Sequence, residues 1–532
     1  MTTSGPERNR DAYEAGLLRP TSLTELIRRR ADLTGGRTFL LDEHDTRLSF
    51  ADFRDRTDRV AAALGAHGIG PGSRVAWQLP TRTSTVLVMA ALSRLGAVQA
   101  PVIAQYRLRE VGAAVEGSGA EWLLVPGTWH GTDYEEMARG VPSAPRVLTV
   151  GPLAPELDDV STLPPAPTEG DQIRWIFFTS GSSGLPKGAL HTDGSLLTAA
   201  YAHAVRTRTG ESADEVCCVP FPVAHVGGPL QLASALSSGS ACVLLEAFTP
   251  TEGLEVLRRH RATLVGGGPV FYQALLTEQR KRPATPVLPT LRTVTGGGAP
   301  CPPHLFDEVR DELGARLLHC YGMTESPMVC VAALHDGDEQ LRETEGRPAP
   351  GLELRVMDGE ESVPVGVDGE IQIRGATVCL GYTDSRQTAE SFTKEGWFRT
   401  GDRGHLRPDG HVELTGRVKD LIIRKGEKIA PQELEQLLSD HPSVDQAAVI
   451  GLPDAQRGER VCAVLVLRAG APAPLLADIA DHFRKAGLME QKIPEQLEIV
   501  SELPVRGLGK VDKSALRDML TADVDKATSM TT

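Results

Sequence analysis

Short, almost wholly apolar runs recur along the 532-residue chain, and stretches of helical spacing separate them. Residues 23–31 and 50–67 carry apolar side chains at helical intervals. SRVAWQLP and AEWLLVP then read as strands, with a helix over 85–95 between them. The same texture resumes, beyond an exposed Pro- and acid-rich connection over 152–170, in IRWIFFTS, DEVCCVPFPV, GSACVLLE, ATLVGGGP and LRTVTGGG. Strands so apolar are covered on both faces, and their alternation with helices predicts an α/β fold whose large N-terminal domain holds doubly wound mixed sheets. After about residue 345 short strands with glycine-rich turns, LELRVMDG and GEIQIRG, predict a small β-barrel-like layer. Past Arg417 strand, helix and strand return as a small α+β domain, so the domains are read as 1–416 and 417–532.

Composition removes several classes of function. The chain carries 56 basic against 70 acidic residues, a formal charge of -14, which argues against nucleic acid as a partner. A local basic pocket for one small anion stays open. No apolar run approaches the roughly 18 residues that span a bilayer, so no membrane is expected. The opening MTTSGPERNRDAYEAG has no apolar core behind its charges and does not read as a secretory signal. Eight scattered cysteines form no CxxC pair, which predicts neither a zinc site nor a disulfide framework and fits a reducing cytoplasm. The pair Cys217-Cys218 lies in an apolar strand and is expected in the core.

The most chemical segment follows IRWIFFTS: Thr179, Ser180, Gly181, Ser182, Ser183, Gly184, then Leu185, Pro186, Lys187 and Gly188. Glycines let backbone N–H groups turn toward an anion, while hydroxyls and one ammonium add donors and charge. A nucleoside triphosphate is the natural ligand. Lys187 stands at the Walker spacing from Gly181, but Pro186 has no N–H to give and Gly188 replaces the metal-binding hydroxyl.

This segment resembles the phosphate loop of the adenylate-forming superfamily, which includes acyl-CoA synthetases, peptide-synthetase adenylation domains and luciferases. Further segments resemble that superfamily in order, across roughly residues 20–515. Gly297-Gly298-Ala299-Pro300 resembles the turn on which adenine packs. In Tyr321-Gly322-Met323-Thr324-Glu325 the resemblance implies that Tyr321 stacks on adenine, Thr324 contacts phosphate and Glu325 holds Mg²⁺. A carboxylate beside a triphosphate needs a cation between them, which agrees. GWFRTGD resembles the ribose motif, with Asp402 offering two oxygens to a vicinal diol. GRVKD resembles the junction between the large domain and a small, mobile C-terminal one, which implies that Arg417 contacts the nucleotide, with an interdomain ion pair as the alternative, and that Lys419 is the hinge. RKGEKIAP resembles a loop used in the second half-reaction, where Gly426 would let a pantetheine chain pass. PVRGLGK resembles the C-terminal lysine motif and makes Lys510 the catalytic candidate. An ammonium touching carboxylate and α-phosphate offsets their repulsion as they react.

PVAHVGG resembles the segment flanking the acyl pocket. There His225 would gate the pocket or contact the substrate carboxylate, with capping of a nearby backbone group as the alternative. Residues 265–270 and 323–329 would line a modest apolar cavity suited to a compact acid. No acidic residue lies in PFPVAHVGG to meet a substrate ammonium, which disfavours an α-amino acid. Relatives often carry Asn-Pro where this chain has Gln99-Ala100-Pro101, a departure that bears on substrate or only repacks a helix end.

The expected function is an ATP-dependent, AMP-forming ligase. It adenylates a small aromatic or alicyclic acid with ATP and Mg²⁺, then passes the acyl group to coenzyme A. Two rivals keep the fold: a diazotase that activates nitrous acid for an aromatic amine, and a ligase that loads an acyl-carrier protein. A luciferase-like oxygenase and a non-catalytic nucleotide-binding regulator are the alternatives from other classes. Lys187, Glu325, Asp402, Arg417 and Lys510 standing together argue against the latter.

Overall fold

The computed structural model describes residues 21–179, 186–212, 214–424, 427–454, 458–486, 488, 492–506 and 510–529. By contact the chain forms two compact units, Met1–Leu354 with Ile373–Arg399 and Arg355–Gln372 with Thr400–Thr532. Residues 355–372 and 400–416, grouped by sequence with the first domain, thus cluster with the C-terminal residues.

The first unit holds a nine-stranded and a six-stranded sheet. In the larger, six strands run parallel in the order Arg316–Met323, Thr293–Gly297, Leu264–Gly266, Val216–Val219, Ala241–Leu244 and Thr38–Asp42. Antiparallel strands close both ends, which makes the sheet mixed. In the smaller, five parallel strands end on the antiparallel strand Lys187–Thr192. The central strands are sealed on both faces: Val75, Ala76, Trp77, Leu123, Leu124 and Val125 are all 0% exposed, as are Cys217 and Cys218. Such continuous burial is what parallel strands under helical layers require.

Gln99 shows what the departure at Gln99-Ala100-Pro101 does. It lies in the strand Val98–Pro101, not at a helix end, and is fully buried. Its amide donates to Met89 O at 3.0 Å and Ser93 Oγ at 2.9 Å and accepts from Trp77 Nε1 at 3.2 Å. A buried amide is tolerated when its hydrogen bonds are made, and these clip the strand to the helix Thr83–Leu95.

A five-stranded sheet follows in the order Glu361–Ser362, Leu352–Asp358, Gly369–Gly375, Phe398–Leu406 and Val412–Arg417. In the second unit the long hairpin Val444–Asp454 and Gly458–Leu467 is extended by Ile422–Arg424 and Gln496–Ile499. The helices Pro431–Ser439 and Leu476–Lys485 contribute Leu434, Leu438, Ile479 and Phe483 to its core. No cysteine forms a disulfide. Among the described residues no helix is long and apolar enough to cross a membrane.

Candidate active site

Four neighbouring strands of the nine-stranded sheet, Val216–Val219, Leu264–Gly266, Thr293–Gly297 and Arg316–Met323, point the same way. Their carboxyl ends open on one edge, the place where open α/β sheets bind ligands. PFPVAHVGG, Gly266–Gly268, Gly297–Pro300 and Tyr321–Glu325 all leave the sheet there. Glycine is required because backbone meets backbone. A Cβ on Gly297 would stand 1.8 Å from Cys320 O, and one on Gly296 (φ +142°) 1.8 Å from Gly267 O. At Gly322 a Cβ would meet Pro327 O at 2.4 Å, beside the irregular register between Tyr321 and Met323. Met323 pairs with Ser326, and Tyr321 is buried, with 6% of its surface exposed.

The phosphate-loop segment begins and ends on a hairpin. Ile173–Thr179 pairs with Lys187–Thr192, and Thr179 faces Lys187 across it. Ser180, Gly181, Ser182, Ser183 and Gly184 lie outside the described residues. The second strand reaches the Tyr321–Glu325 segment through His191, whose Nε2 bonds Thr324 O at 2.8 Å while Nδ1 meets Ser195 Oγ at 3.0 Å. Burial pulls His191 down to about 4, against the opposing effect of the Thr324 bond, so the ring is neutral at physiological pH.

Glu325 is gripped from another side. The Tyr382 hydroxyl donates to its Oε1 at 2.6 Å, and Cys379 N donates to its backbone carbonyl at 2.7 Å. The Lys187 ammonium lies over the Tyr382 ring, 5.6 Å from the centroid. Among the described residues no three His, Cys, Asp or Glu side chains gather as a metal cage. A single half-buried carboxylate fits Mg²⁺ nonetheless, because this ion keeps its waters and binds through one or two carboxylates plus substrate phosphates.

His225 follows the strand Val216–Val219. Its Nδ1 accepts the Gly227 N–H at 3.2 Å, and its ring meets Phe221 edge-on at 6.3 Å. The backbone-capping role is therefore present and uses the Nδ1 side of the ring.

In the second unit, Asp402 and Arg417 face each other across the hairpin Phe398–Leu406 and Val412–Arg417. Asp402 is 6% exposed, and its Oδ1 pairs with Arg417 Nε at 3.0 Å. Lys419 sits exposed in the 3₁₀ turn Val418–Asp420. Lys510 is exposed on the two-residue strand Lys510–Val511, which pairs with Val505–Arg506. Arg424 is bound by Glu495, and Gly426 lies outside the described residues.

Sequence reading passed over Tyr382 and His191. Neither stands in a motif of its own, and each reaches its partner across 57 or 133 residues of chain. The one signal was position, since His191 continues the strand begun by Lys187.

The chain matches the AMP-binding enzyme family over residues 27–383 and the AMP-binding enzyme C-terminal domain over 433–510. It is 30% identical over 546 residues to the medium-chain fatty-acid–CoA ligase of Escherichia coli (strain K12), covering 98% of this chain and 96% of the relative. It is 32% identical over 500 residues to the 2-hydroxy-7-methoxy-5-methyl-1-naphthoate–CoA ligase of Streptomyces carzinostaticus, covering 88% of each. The crystal structure of ATP-bound MatB from Rhodopseudomonas palustris superposes with a TM-score of 0.84 at 27% identity, covering 93% of this chain and 98% of that one. The chain belongs to the AMP-binding enzymes of the adenylate-forming superfamily and is an AMP-forming acid ligase, using ATP to adenylate its acid.

Proposed function

We propose that the acid is compact, aromatic or alicyclic, and that the acyl group passes from the adenylate to the thiol of coenzyme A. The observation that carries this reading is the crowded strand edge, where Gly268, Gly296 and Gly297 bring neighbouring backbones into contact. Backbone packed this closely supports a short, shaped space for the acid over a long channel. The naphthoate–CoA ligase relative supports an aromatic acid and a thiol acceptor.

In the first half-reaction the acid carboxylate attacks the α-phosphorus of ATP and pyrophosphate leaves. Thr179, Lys187 and Thr324 hold phosphate oxygens, Tyr321 and Gly297–Pro300 hold adenine, and Asp402 and Arg417 hold the ribose and its phosphate. Mg²⁺, held by Glu325, would neutralise phosphate charge when bound. Lys510 supplies an ammonium to the carboxylate and α-phosphate as they approach. His225 flanks the acid. In the second half-reaction the thiol displaces AMP, and the segment after Arg417 turns about Lys419 to withdraw Lys510, which gives the 416/417 boundary its meaning. Splitting the condensation makes two easier displacements from one difficult one. Free cysteines throughout suit a reducing, cytoplasmic setting.

The test is pyrophosphate release with ATP and Mg²⁺ across aryl, alicyclic and fatty acids, with and without coenzyme A, beside nitrite plus an aromatic amine. Release with a compact acid, raised by coenzyme A, is expected. Release only with nitrite and amine, or only with long-chain acids, would overturn the reading.

A further inference from the structure

We propose that Tyr382 is a positioning residue for the metal-binding carboxylate, tying Glu325 to the strand that carries Lys187. The inference rests on the assignment of Mg²⁺ to Glu325. Three observations carry it.

The first is the hydrogen bond. The Tyr382 hydroxyl donates to Glu325 Oε1 at 2.6 Å from a residue only 6% exposed. A charge-assisted bond of this length is strong and directional. Holding one carboxylate oxygen fixes the direction of the other, which a monodentate Mg²⁺ ligand needs.

The second is how Tyr382 is itself held. The segment around it is laced to the strand Lys187–Thr192 through Leu380 N to Leu190 O, Leu190 N to Gly381 O and Thr383 N to Gly188 O, each at 2.8 Å. Its own N–H donates to Thr388 Oγ1 at 2.8 Å. Gly188 permits this closeness, because a Cβ there would stand 2.9 Å from Ile176 Cγ2 and 3.1 Å from the Thr383 side chain. The glycine that breaks the Walker pattern thus makes room for the segment that presents Tyr382.

The third is the ring. The Lys187 ammonium lies 5.6 Å from its centroid, so one side chain touches both charges assigned to the triphosphate and its metal. A tyrosine that only filled space would have no use for a hydroxyl aimed at that carboxylate.

The experiment compares wild type, Tyr382→Phe and Glu325→Gln. Mn²⁺ binding to the complex with α,β-methylene-ATP is followed by electron paramagnetic resonance. The Mg²⁺ concentration giving half-maximal pyrophosphate release is measured alongside. Tyr382→Phe is expected to weaken Mn²⁺ binding about 10-fold or more, as loss of a group orienting a metal ligand does, and to raise the half-maximal Mg²⁺ similarly. Excess Mg²⁺ should then restore much of kcat, a rescue that general disruption of the fold would not give. Wild-type Mn²⁺ affinity in Tyr382→Phe, with affinity lost in Glu325→Gln, would overturn the positioning role and leave the metal assignment standing. Wild-type affinity in Glu325→Gln would overturn the metal assignment itself.

Discussion

The carboxyl edge of the nine-stranded sheet and the strand that carries Lys510 differ in how firmly each holds its chemistry. At the edge, Gly296 and Gly297 lie where any Cβ would stand 1.8 Å from a carbonyl oxygen, and His191 and Tyr382 grip Thr324 and Glu325 from two further elements. Lys510 stands exposed on a strand of two residues. A nucleotide bound through both half-reactions benefits from donors fixed in advance, since they cost no reorganisation when charge develops. In the proposed mechanism Lys510 serves one step and obstructs the next, and such a cation is better placed on an element that can leave.

Gly297→Ala challenges the firm side of this contrast with the largest expected loss of stability. Two backbones would have to part, so the loss should reach about 3 kcal/mol, the upper end of ordinary overpacking. Gly298→Ala is the control. Its φ is +89° with nothing within 4 Å of the added Cβ, so only backbone strain of about 1–2 kcal/mol is expected. Urea denaturation of both variants makes the comparison, and equal losses would show that close backbone approach does not constrain the edge.

These two glycines also mark how far the sequence could be read. Gly297 was visible in the GGGAP run, as was Tyr321 in YGMTE, because both motifs are local and stand at the ends of strands. The reason Gly297 must be glycine was not visible, since it depends on Cys320 O in a neighbouring strand. Tyr382 and His191 escaped for the same reason: their roles come from partners that only the sheet topology brings near. Gln99 was seen as a departure, but its meaning required the helix and Trp77 packed around it. Local motifs survive in sequence, whereas contacts between distant segments do not.

A smaller effect sharpens the contrast through pH. Burial holds both His191 and His203 down to about 4. In the unfolded chain each titrates near 6.5. Between about pH 6.5 and 4 the unfolded chain therefore binds more protons, and each histidine makes stability fall as pH falls through that window. The slope from one histidine approaches about 1.4 kcal/mol per pH unit at most. His191→Gln, which keeps a donor for Thr324, should flatten the curve of unfolding free energy against pH relative to wild type. An unchanged slope would show that His191 titrates normally and does not brace the edge as a neutral ring.

The claim that fixed and departing groups divide the two half-reactions is tested most directly by Lys510→Ala assayed on each half separately. Acid-dependent pyrophosphate release should fall about 10²–10³-fold, while thioester formation from presynthesised acyl adenylate and coenzyme A stays within about threefold of wild type. Comparable losses in both halves would contradict the division.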